Sequence, residues 1–143
     1  MNNYQSMQLK ISNTCALLLI FLMLYASISK IFEYNIFIQQ LSLSPFFAIG
    51  HTKTVAFLVL SLEMIIAVLF LIPRAQNIAF LSSLCLLTSF TVYIHIIQYS
   101  EFIPCSCGGI LGKLSWNDHI IFNIFFIIIS FFGYYFNDSK ITS

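Results

Sequence analysis

Charge is what this sequence has least of. Only 8% of its 143 residues are charged, with six Lys and Arg against five Asp and Glu for a formal net charge of +1. A soluble domain keeps itself in solution with a far more charged surface. The few basic residues are scattered singly, so there is no basic patch and nucleic acid is not an expected partner. Proline and glycine are also sparse, at three and five residues, which excludes collagen-like and Pro/Gly-rich disordered chains. No internal repeat and no low-complexity linker interrupts the sequence. What fills it instead is apolar: 59% hydrophobic residues and a mean hydropathy of +0.93.

In lipid, every backbone N–H and C=O needs a partner within the protein, so only helices and closed barrels span a bilayer. Long apolar runs without strict alternation select helices, each needing about 20 residues. Four runs qualify, at about 11–32, 54–72, 78–99 and 119–136. The expected fold is therefore all-α, a four-helix transmembrane bundle whose single domain uses the whole chain and whose first partner is the lipid bilayer. The first run is long for the apolar core of a cleaved signal, and it is expected to remain as a span. Most of the sixteen Phe and seven Tyr need no special role, because the outside of such a bundle is as apolar as its core.

Four spans put both termini on one side, together with the turn at 73–77, and the two longer loops on the other. Lys10, Arg74 and Lys140 stand on the terminal side against Lys30, Lys53 and Lys113 opposite, a tie under the positive-inside rule. In the first long loop, Phe37, Ile38 and Leu41 fall at helical spacing, which predicts a short interfacial helix before Pro45. Trp116, near the end of the second loop, suits an interfacial anchor.

The second loop carries the most informative residues, Pro104-Cys105-Ser106-Cys107-Gly108-Gly109. A disulfide across one intervening residue closes a small ring with poor dihedral freedom, and strained disulfides are oxidising and readily exchanged. Three readings of the pair stand side by side: thiol exchange, a fixed disulfide or two unpaired thiols, and metal binding, although a full metal site wants three or four ligands. Cys15 and Cys85 fall inside predicted spans, where packing is the usual role.

Polar residues within the spans gather toward the cysteine-bearing face: Lys30 at the end of the first, His95 near the end of the third, and His119 and Asn123 at the start of the fourth. His119 and Asn123, four apart, share one helix side. A base or cation beside a thiol favours the reactive thiolate, which makes His119, and less directly His95, candidates to poise Cys105 and Cys107. Glu63 lies mid-span, roughly 14 Å from Thr54 at helical rise. Ionisable groups at that depth are expensive and usually paired or functional, and Lys30 is its best cationic partner.

The segment from Pro104 to Asn123, PCSCGGILGKLSWNDHIIFN, resembles the signature of the methylamine-utilisation MauE family, within the wider DoxX-like group. Further similarity covers Tyr25 to Lys30, Gln40 to Pro45, Glu63 and Ile72-Pro73-Arg74. The resemblance implies a multi-pass protein of the bacterial inner membrane that takes part in thiol–disulfide exchange and the maturation of exported proteins. It makes Cys105 and Cys107 the redox pair, puts the termini in the cytoplasm and the cysteine loop in the periplasm, and brings a thioredoxin-like periplasmic partner and an exported client. The alternatives are a non-catalytic assembly factor for a thioredoxin-like protein and a metal-handling membrane protein. A membrane quinone is a chemically attractive cofactor, but no residue in the sequence identifies a site for one.

Overall fold

The computed structural model describes residues 3–43, 50–97 and 116–141. They form α1 (Asn3–Phe32), α2 (Tyr34–Leu43), α3 (Thr52–Leu71), a short 3-10 turn (Pro73–Ala75), α4 (Gln76–Ile97) and α5 (Trp116–Ile141). Among the described residues four helices are long and apolar enough to cross a membrane: Gln5–Phe32, Thr52–Leu71, Pro73–Ile96 and Asn117–Asn137. Their outer faces are lined with exposed Phe21, Phe32, Phe57, Leu71 and Ile121, which only a lipid surface accommodates. The protein is thus a multi-pass α-helical membrane protein. α1 packs on α3 and α5, and α4 completes the ring by packing on the same two helices.

Small residues let these helices approach closely. Gly133 of α5 faces Phe80 of α4 so tightly that an added Cβ would lie 2.2 Å from the Phe80 ring. One turn earlier on α5, the Ser130 hydroxyl donates to the Phe80 carbonyl at 2.8 Å. Phe80 then meets Phe70 of α3 edge to face, with centroids 4.9 Å apart. Around this contact lie Leu19, Met23, Ile66 and Ala79, all buried. At the end of the bundle nearest the termini, Ser12 of α1 sits 3.4 Å from Asn137 Oδ1 of α5, and Asn137 Nδ2 donates to Asn77 Oδ1 of α4. Three helices are therefore tied by side-chain amides and a hydroxyl that lipid would not otherwise satisfy.

The break between α1 and α2 is a bend more than an end. The Glu33 amide still donates to the Ser29 carbonyl, and the Phe37 amide to the Glu33 carbonyl. α2 therefore carries the chain onward beside the first half of α3, burying Phe37 and Leu41 against Ala56. The short helix expected near 37–41 is present, with its apolar side turned onto α3. This continuation sets the depth of Lys30: the last turn of α1 lies level with the middle of α3, so Lys30 is deeper than the end of a first span implies.

Candidate functional site

The bend brings the end of α1 to Glu63. Lys30 Nζ forms an ion pair with Glu63 Oε1, and the Ser27 hydroxyl donates to Glu63 Oε2 at 3.0 Å. Ser27 and Lys30 are three residues apart and so project from the same side of α1. Lys30 and Glu63 are only 5% and 6% exposed, and a charge removed from both water and lipid headgroups is tolerable only when paired. The ammonium is also held by rings: it stands 5.9 Å from the centroid of Phe37 in α2 and 5.6 Å from that of Phe90 in α4. Both contacts are within cation–π range.

Phe90 connects this pair to α5. The His119 ring lies edge-on to Phe90 at 6.2 Å and stacks on Phe122 at 6.5 Å. His119 is 3% exposed and Asn123, one turn on, is 4% exposed. The Nδ1 atom of His119 and the Nδ2 atom of Asn123 have no hydrogen-bond partner. All five helices thus contribute to one layer: Ser27 and Lys30, Phe37, Glu63, Phe90, then His119 and Asn123.

The remaining sequence candidates separate. His95 lies in the last turn of α4 on its exposed side, while its neighbour Ile94 is buried. Cys105 and Cys107 lie outside the described residues. Cys15 packs partly against the core and Cys85 is exposed, both as free thiols. Among the described residues no three His, Cys, Asp or Glu side chains are grouped as metal ligands.

Sequence reasoning passed over Ser27 and Phe90, and placed Phe37 on the short helix without linking it to Lys30. Ser27 had a signal, since it precedes Lys30 by three positions on a helix. Phe90 had none, being one of many phenylalanines, and only packing distinguishes it. The Ser12, Asn77 and Asn137 cluster was missed because its members are far apart in sequence and individually unremarked.

These features define a four-span helical membrane protein with a buried ion pair and a histidine–asparagine pair at the end of the bundle where α4 and α5 are joined. The family model for methylamine utilisation protein MauE matches residues 8–136, nearly the whole chain, and the chain belongs to that family. No curated protein and no solved structure matches it.

Proposed function

We propose that this protein is the membrane component of a thiol–disulfide exchange that matures exported proteins, with Cys105 and Cys107 as the exchanging pair and a thioredoxin-like protein as its partner. The observation that carries the proposal is membership of the MauE family together with the Cys-Ser-Cys sequence on the 98–115 connection. Connectivity adds support, because that connection runs from the end of α4 to the start of α5, and His119 lies within the first turn of α5.

The chemistry is two successive exchanges. A thiolate of the reduced partner attacks one sulfur of the Cys105–Cys107 disulfide, giving a mixed disulfide and releasing the other cysteine as thiolate. The partner's second thiolate then attacks the mixed bond, so the partner leaves with the disulfide and two electrons remain on Cys105 and Cys107 as a dithiol. A histidine near the pair serves as the proton acceptor and donor for the leaving thiolate. In this reading the termini are cytoplasmic and the cysteine loop is on the periplasmic face of the bacterial inner membrane.

The test is to express Cys105→Ala and Cys107→Ala in cells, quench with acid, and identify what is joined to the remaining thiol. A thioredoxin-like periplasmic protein held in one of the two variants is the expected result. Full maturation activity with both cysteines changed to Ser would overturn the exchange and leave an assembly factor that only holds its partner near the client.

A further inference from the structure

His119 Nδ1 and Asn123 Nδ2 are enclosed polar atoms with no hydrogen-bond partner, and such atoms in a native protein call for an explanation. The packing leaves little choice of partner. Phe90 and Phe122 lie against the imidazole, and the other polar groups of the layer, Ser27 and Lys30, are engaged with Glu63. Glu63 is thus not available as a counter-ion for an imidazolium. Asp118 is exposed and adjacent to His119 on α5, where side chains one position apart do not face each other. A neutral imidazole has one N–H and one lone pair, and the Asn123 amide nitrogen can only donate.

Within α5 these two needs match. Residues four apart are neighbours on a helix, and a helical side chain leans back over the turn that precedes it, so Asn123 leans toward the turn of His119. The two atoms are not bonded as they stand. The terminal torsion of an asparagine is broad, so turning the amide toward the ring costs little. We infer that Asn123 is a positioning residue for His119: its Nδ2 donates to the lone pair of Nδ1, and the imidazole proton therefore resides on Nε2. One bond then satisfies both atoms. Its use rests on the thiol-exchange reading above. Nε2–H is the donor that His119 presents to a departing thiolate, and a hydrogen bond to the charged form favours that form.

Histidine isotope-labelled on its ring nitrogens, in the full-length protein in lipid nanodiscs, reports the proton directly, because protonated and unprotonated ring nitrogens resonate far apart in solid-state NMR. The His119 signals are those lost in His119→Phe. In mildly alkaline buffer the wild type should show the proton on Nε2 and a hydrogen-bonded Nδ1, and both should be retained when Cys105 and Cys107 are both Ser. Asn123→Leu should shift the Nδ1 signal toward that of a free nitrogen. Asn123→Asp exchanges the donor for an acceptor and should move the proton to Nδ1. Ser83→Ala, at another buried position on α4, should change neither signal. If Asn123→Asp does not yield helical, monodisperse protein, Asn123→Leu decides alone. A wild-type proton on Nδ1, or an Nδ1 signal identical in wild type and Asn123→Leu, would overturn the positioning role. That result would not disturb the trapping of mixed disulfides, and failure to trap them would not alter the ring-nitrogen signals.

Discussion

Glu63 is the residue whose replacement tests the bundle's electrostatics most sharply. Changing it to Gln leaves the Lys30 ammonium buried in a layer where its other neighbours are the rings of Phe37 and Phe90. Breaking one side of a buried ion pair costs about 3–5 kcal/mol, because a charge is left without compensation. The cation–π contacts to Phe37 and Phe90 are already made in the wild type, so they do not offset the loss. Removing both charges is different: well-packed apolar substitutes for a buried pair are often neutral or stabilising. The double variant Lys30→Met with Glu63→Gln, which removes both charges and leaves the Ser27 hydroxyl an acceptor, should therefore lose far less stability than the two single changes together. The coupling between the sites should exceed about 3 kcal/mol. Denaturation with SDS in mixed micelles, followed by circular dichroism, measures all four corners of the cycle. Single losses that sum in the double variant to within about 0.5 kcal/mol would refute a direct pair.

Three further outcomes follow from the same geometry. Ser27→Ala should cost far less than Glu63→Gln, about 0.6–1.7 kcal/mol, since it removes one interhelical hydrogen bond in a membrane; the same SDS titration resolves the difference. Gly133→Ala drives a methyl group into the Phe80 ring and should destabilise by about 1–3 kcal/mol, with Phe80→Leu in the same chain recovering part of the loss. A membrane-impermeant maleimide applied to intact spheroplasts should label reduced Cys105 or Cys107, and labelling confined to lysed cells would contradict a periplasmic loop.

The fold was largely legible because lipid simplifies the problem. Apolar runs near 11–32, 54–72, 78–99 and 119–136 became helices α1, α3, α4 and α5, with the ends of α1 and α5 running several residues further. Those extensions are polar, and hydropathy stops where the bilayer does while backbone hydrogen bonding does not. The site was legible only in part. Lys30 and Glu63 announced themselves as charges in apolar surroundings, and their opposite signs suggested contact. Their apparent mismatch in depth arose from treating the end of α1 as the membrane face. The continuation through Glu33 into α2 corrects it, and no residue near position 33 is a helix breaker that would have flagged a bend. His95 lies on the exposed side of α4. Its sequence depth matched the other polar residues, but its neighbour Ile94 took the buried face of α4, a choice of helix rotation that composition cannot reveal.

Thiol–disulfide exchange requires that Cys105 and Cys107 form a reversible redox couple. Purified protein equilibrated across a series of glutathione and dithiothreitol ratios, then mass-tagged on its free thiols, gives that answer, with Cys15 and Cys85 changed to Ser to remove background. In the exchange reading proposed above, the one-residue spacing strains a mutual disulfide and so favours the reduced form. The predicted result is a two-electron transition at a potential above about −300 mV, the upper bound for stable structural disulfides. His119→Ala should slow exchange near neutral pH. A pair that stays oxidised in strongly reducing buffer, or never pairs under any condition, would contradict the exchange mechanism.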